Sequence, residues 1–164
     1  MPYSIIIPIH NEEKYIPRLL DEIKPFSYNN EILIIDDGSK DNSNLLLKEC
    51  NFIKFIRLEQ NNGKGFAIKT GLKNIRYEKV LLFDGDLELK TSELAKLMVL
   101  NNNIKFVLGE RFKSDFSSYS LWNFGNFFFT NFFNFRNNTK LNDALCCAKS
   151  FYKTDININC LKSN

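Results

Sequence analysis

Five short runs of β-branched and other apolar residues recur along this chain, at positions 3–8, 31–36, 53–58, 79–83 and 105–109. They lack polar alternation, the pattern of strands covered on both faces in a parallel sheet. Helical spacing fills the intervals between them. Residues 16–24 carry Pro17 where a first helical turn tolerates it, and Asp41 or Asn42 is placed to cap a helix reaching Cys50. Residues 65–75 and 92–101 set apolar side chains three and four apart, the second stretch behind Thr91 as a cap. This alternation predicts an α/β fold with a mostly parallel, Rossmann-like sheet flanked by helices. With 164 residues, no internal repeat and no linker-like stretch, a single domain around one core is expected.

Beyond Gly109 the pattern loosens. Residues 121–135 (LWNFGNFFFTNFFNF) predict a helix crowded with aromatics, and 144–152 a last strand. Such a helix suits a packed core first, or a membrane surface with Trp122 and the Phe rings toward lipid. Its polar positions are Asn rather than Lys, so attraction to anionic lipid would be slight. No run of ~18 apolar residues is present to span a bilayer. The first strand begins too close to Met1 for a signal peptide, so a cytoplasmic location is expected, with peripheral contact at the inner face of the membrane as the option. A net charge of +3 without a basic block weighs against nucleic acid. Cys50, Cys146, Cys147 and Cys160 lack metal-ligand spacing, and the single histidine, His10, is remote from them, so they read as ordinary reduced thiols.

Polar residues gather where the strands end, which in an open α/β sheet is where ligands bind. The first four runs lead into Pro8-Ile9-His10-Asn11-Glu12-Glu13, Asp36-Asp37-Gly38-Ser39, Asn61-Asn62-Gly63-Lys64-Gly65 and Asp84-Gly85-Asp86-Leu87-Glu88. Two carboxylates bracketing Gly85 offer hard oxygen ligands to Mg2+ or Mn2+, whose shell substrate phosphates commonly complete; the same residues also suit a plain Asp-Gly turn. Asp36 and Asp37 can accept hydrogen bonds from a base or ribose, or simply shape an Asx-type turn. Gly63 and Gly65 let backbone approach an anion and Lys64 adds a point charge, without the spacing of a P-loop.

Together SIIIPIHNEEKYI, ILIIDDGSKDNS, NNGKGFAIKTGL and LLFDGDLELKTSELAKLM resemble, in order and spacing, the motifs of the family 2 glycosyltransferases. Within that family the polyprenyl-phosphate glycosyltransferases are most similar. Their Asp-x-Asp-Leu-Gln resembles Asp84-Gly85-Asp86-Leu87-Glu88, and their later Gly-x-Arg, Asn-bearing helix and Asp-x-x-Cys-Gly-x-Lys resemble Gly109-Glu110-Arg111, Asn126 and Asp143 to Lys149. The resemblance implies a GT-A-type fold, with 1–110 as the nucleotide-sugar-binding half and 111–164 as part of an acceptor half. It implies Pro8, His10, Glu12, Asp36, Asp37, Lys64 and Asp84 around a UDP- or GDP-linked sugar. Asp84, Asp86 and Glu88 would serve an Mg2+ or Mn2+ ion, and Asp84, Asp86 and Arg111 the chemistry, Arg111 through a phosphate. Transfer would proceed with inversion, to a polyprenyl phosphate or to a saccharide hydroxyl.

Three departures accompany the likeness. Cys147 stands where the motif has Gly, a second Arg between Ser114 and Asn126 is missing, and the chain stops at Asn164, short of the usual acceptor portion. A catalytically inactive sugar-nucleotide-binding remnant is therefore the rival expectation. A nucleotidyltransferase would open with a Gly-rich loop after its first strand, which Pro8-Ile9-His10-Asn11 does not offer.

Overall fold

The computed structural model describes residues 1–87, 89–110 and 121–158. Its strands are Tyr3–Ile9 (β1), Glu31–Asp36 (β2), Lys54–Arg57 (β3), Lys79–Leu82 (β4), Phe106–Leu108 (β5) and Lys149–Tyr152 (β6). Helices Ile16–Ile23 (α1), Ser43–Lys48 (α2), Lys64–Asn74 (α3), Leu94–Leu97 (α4) and Leu121–Asn137 (α5) join them. The sheet order is β3-β2-β1-β4-β6-β5. The first four strands run parallel, and β6 lies antiparallel between β4 and β5. This is the mostly parallel α/β sheet expected from the apolar runs.

Every residue of β1 is buried, because helices cover both of its faces. Ile5, Ile7 and Ile9 join the layer completed by Ile16, Leu19 and Ile23 of α1. Ile6 faces the opposite layer, with Ala67 and Leu72 of α3. Two buried faces leave no position for polar alternation, which explains the uninterrupted IIIPI of the sequence. Helix α1 takes Pro17 in its first turn, and its buried residues recur at the three- and four-residue steps of one helical face. At α2 the cap position is Asn42, whose side chain makes no cap bond, and the preceding Asp41 accepts a hydrogen bond from Ser43 N–H at 3.0 Å through its Oδ1. Asn42 turns instead to Glu13, its Nδ2 donating to Oε1 at 2.8 Å.

Two expected elements come out shorter. The stretch 92–101 is a 3₁₀ turn, Thr91–Glu93, followed by only Leu94–Leu97 as α-helix. Thr91 does not cap it; its hydroxyl donates to Glu22 Oε2 at 2.6 Å. Leu100 N–H donates to the Tyr3 hydroxyl at 2.8 Å and Leu100 O accepts from Lys79 Nζ at 2.5 Å, so tertiary partners take the backbone groups that a longer helix would use. Of 144–152, only Lys149–Tyr152 is strand.

Helix α5 inverts the usual arrangement. Among its described side chains Asn126 and Thr130 are buried, whereas Phe127, Phe128, Phe129, Phe132, Phe133 and Phe135 are exposed, Phe128 by 67% and Phe135 by 90%. The Thr130 hydroxyl accepts from Ala144 N–H at 3.1 Å and so ties the helix to the loop before β6.

Candidate functional site

The C-terminal ends of β1, β2, β3 and β4 open into one cleft of about 240 Å³. Pro8, Ile9, His10 and Glu12 line it from β1, Asp37 from β2, Asn61, Gly63 and Lys64 from the turn into α3, and Asp84, Gly85 and Asp86 from β4. The four polar turns singled out in the sequence thus meet in space, as the crevice rule for open α/β sheets requires.

The loops after β1 and β2 are fastened by side chain to backbone bonds. Asn11 N–H donates to Ser39 Oγ at 2.9 Å, Glu12 N–H to Ser43 Oγ at 3.1 Å and Glu13 N–H to Asp41 Oδ2 at 3.0 Å. Asp37 Oδ1 accepts from Asn62 N–H at 2.9 Å, adding the α3 turn to the same frame. His10 Nδ1 lies 2.8 Å from Asp37 O; a carbonyl only accepts, so Nδ1 carries the hydrogen, and Nε2 accepts from Asn11 Nδ2 at 2.9 Å. Both ring nitrogens are engaged, Nδ1 across to the β2 loop and Nε2 within its own. Gly38 has φ +66°, and a Cβ there would fall 2.6 Å from Asn61 N, so the β2 turn lies directly against the α3 turn. Gly85 is needed for closeness instead: a Cβ would meet Ile9 Cγ2 at 2.6 Å, fixing the Asp84-Asp86 turn against the end of β1.

Adjacent aspartates take different jobs. Asp36 is fully buried, and its Oδ1 accepts from Ser39 N–H at 2.8 Å. Its Oδ2 has no hydrogen bond and sits 3.6 Å from Arg57 Nε. Asp36 does not line the cleft; Asp37 does.

The deep end of the cleft is strongly charged. Burial raises the Glu12 pKa, and the negative charges of Asp86, Asp41 and Asp84 raise it further. Lys64 Nζ forms an ion pair with Asp84 Oδ1 at 2.5 Å. Burial works against the charge on Lys64, but the hydrogen bond to Asp84 and attraction to the Cys147 sulfur outweigh it, and the Lys64 pKa is raised. Burial and the neighbouring Asp84 carboxylate push the Cys147 thiol up to about 11, with Lys64 pulling the other way. Cys147 reaches this place through strand pairing. The antiparallel register sets Leu82 opposite Lys149, and two further steps bring Cys147 level with Asp84.

Pro8, His10, Glu12, Asp37, Lys64, Asp84 and Asp86 therefore share one cleft, and Asp36 stands behind it. Glu88 and Arg111 lie outside the described residues. Among the described residues no three His, Cys, Asp or Glu side chains converge into a ready-made cation site. The donor chemistry nonetheless fits a hard divalent cation: Asp84 and Asp86 bring carboxylate oxygens to the same cleft as Glu12. Sequence reading had singled out neither Asn61 nor Cys147 as site residues. Cys147 carried a signal, as the residue standing in place of the motif's Gly.

Fold and cleft together define a GT-A-type α/β domain. The chain belongs to Glycosyl transferase family 2, whose model matches residues 4–157. It is 34% identical over 109 residues to the human dolichyl-phosphate β-glucosyltransferase, covering 57% of this chain and 34% of that protein. It is 33% identical over 131 residues to the UDP-N-acetylglucosamine–dolichyl-phosphate N-acetylglucosaminyltransferase of Methanococcus voltae, covering 67% and 52%. The chain thus spans about a third to a half of the curated relatives it matches. Glucosyl-3-phosphoglycerate synthase from Mycobacterium tuberculosis, solved with Mn2+, UDP and phosphoglyceric acid, superposes with a TM-score of 0.70 at 17% identity, over 93% of this chain and 56% of that one. At that identity the match speaks for the fold.

Proposed function

We propose that this chain transfers a sugar from a UDP- or GDP-linked donor to a polyprenyl phosphate, with a divalent cation and with inversion at the anomeric carbon. The observation that carries the reading is the meeting of Glu12, Asp37, Lys64, Asp84 and Asp86 in one cleft beyond four parallel strands. Asp84 and Asp86, with Glu88 from the resemblance, would hold Mg2+ or Mn2+, which neutralises charge developing on the diphosphate leaving group. Pro8, His10 and Asp37 border the space for the nucleoside, and Lys64 offers its ammonium to a phosphate oxygen. In this reading residues 1–110 bind the donor and 111–164 form part of the acceptor side, with Arg111 on a phosphate.

A polyprenyl phosphate already carries an ionised oxygen at neutral pH and can attack without a general base. A saccharide hydroxyl would need one. His10 is poorly suited to that task, since its Nδ1–H and Nε2 are both engaged by Asp37 and Asn11. The two relatives above are named for dolichyl-phosphate acceptors, which favours the same choice. The test is a screen of UDP- and GDP-sugars with Mn2+, read first as thermal stabilisation and then as transfer of labelled sugar. A matching donor at about one hundred times its Kd should stabilise by about 2.7 kcal/mol, or roughly 5–10 °C. Transfer to polyprenyl phosphate supports the proposal, transfer only to oligosaccharide replaces the acceptor, and binding without turnover identifies a sugar-nucleotide-binding remnant.

The outward rings of α5 suit the surface on which such an acceptor resides. Among the described residues no helix is long and apolar enough to cross a membrane. The exposed Phe128 and Phe132 are instead placed to rest in the interfacial layer. Co-sedimentation with neutral phosphatidylcholine vesicles should fall about 5-fold or more when Phe128→Ser and Phe132→Ser are combined. Unchanged sedimentation would remove the lipid contact.

A further inference from the structure

Asp84 is engaged before any cation arrives. Lys64 Nζ lies 2.5 Å from its Oδ1, and both side chains line the cleft. The Cys147 thiol, carried opposite Asp84 by the β4–β6 register, interacts with both partners. The pair is reachable from solvent, with Lys64 52% and Asp84 26% exposed at the side chain. Lys64 opens α3 directly after Gly63, so its backbone is fixed while its long side chain can swing between acceptors.

We propose that Lys64 is a latch on Asp84, which releases that carboxylate to the cation only when a nucleoside diphosphate offers the ammonium other oxygens. This rests on the donor reading above and adds an order of events to it. A cation and an ammonium compete for one carboxylate oxygen, and two positive charges so close repel each other. Alone, the cation must break the ion pair and leave Lys64 beside it with no anion. A diphosphate arriving with the cation removes both penalties, because Lys64 transfers to a phosphate oxygen as Asp84 is freed. The ammonium is paired with Asp84, so it is that carboxylate which the latch holds. The consequence is positive coupling between cation and nucleotide, carried by one side chain.

Electron paramagnetic resonance of free Mn2+ measures the coupling directly, in titrations with and without UDP or GDP. In the wild type the better nucleotide should tighten Mn2+ binding by about 10-fold or more. Lys64→Gln should bind Mn2+ alone about 5-fold more tightly than wild type, and its coupling should shrink below about 3-fold. Lys64→Arg keeps the charge and should retain weak binding of Mn2+ alone. Thermal midpoints of both variants check that α3 still forms. Lys64→Gln with coupling of wild-type size, or with no gain for Mn2+ alone, overturns the latch and leaves the donor reading standing. A wild type in which neither nucleotide affects Mn2+ overturns both.

Discussion

Asp86→Ala is expected to remove the Mn2+-dependent part of donor turnover, a loss of about 100- to 1000-fold in kcat/KM, the range for deleting one preorganised charge-stabilising group. Two observations single this residue out. Asp86 lines the cleft, and it stands first among the charges that raise the Glu12 pKa, after burial. Gly85 packed against Ile9 helps to hold the turn in the variant, and its thermal midpoint without ligand checks that the fold is kept. Two readouts check the result: transfer of labelled sugar across a series of Mn2+ concentrations, and Mn2+-dependent thermal stabilisation in the presence of nucleotide. Activity equal to wild type would withdraw the cation assignment from this turn.

Gly38→Ala is expected to give the largest loss of stability of any single methyl group added to the site. The residue holds φ +66°, and the new Cβ would press on the backbone of Gln60 and Asn61, which has no rotamer through which to escape. Left-handed backbone costs about 1–2 kcal/mol for a residue with a Cβ, and overpacking adds about 1–3 kcal/mol. The sum, roughly 2–5 kcal/mol, should lower Tm by about 5–20 °C. The damage would also reach binding, because the two loops forced apart are those joined by the hydrogen bond from Asn62 N–H to Asp37. Thermal denaturation with and without nucleotide checks both effects. A Tm within a degree of wild type would mean that these turns do not touch in solution.

The part of the fold that could be read from the chain is the part written in short-range pattern. Strands β1, β2 and β4 announce themselves because burial on two faces demands unbroken apolar runs, and their polar turns follow at once. What escaped depends on partners distant in sequence. Periodicity from 92 to 101 satisfies a helix, yet Tyr3 and Lys79 claim the backbone at Leu100. Asp36 and Asp37 are indistinguishable as letters, and only the turn decides that one faces inward to Ser39 while the other faces the cleft. The phenylalanines of α5 leave a lipid surface and a core both open, and only the fold shows that among its described side chains the buried ones are Asn126 and Thr130, four apart on one face. Cys147 enters the site only through the register of β6 on β4, which no local rule predicts.

The antiparallel strand between β4 and β5 also sets an order for assembly. Among the described residues β5 finds its hydrogen-bonding partner in β6, a segment that leaves the ribosome much later. During synthesis β1 to β4 can pair as soon as they emerge, whereas Phe106–Leu108 must wait for Lys149–Tyr152 to arrive and insert. Until then the four parallel strands end in an open edge along β4. Closing that edge is the same event that sets Cys147 level with Asp84, so the cleft wall and protection of the β4 edge from aggregation arrive together.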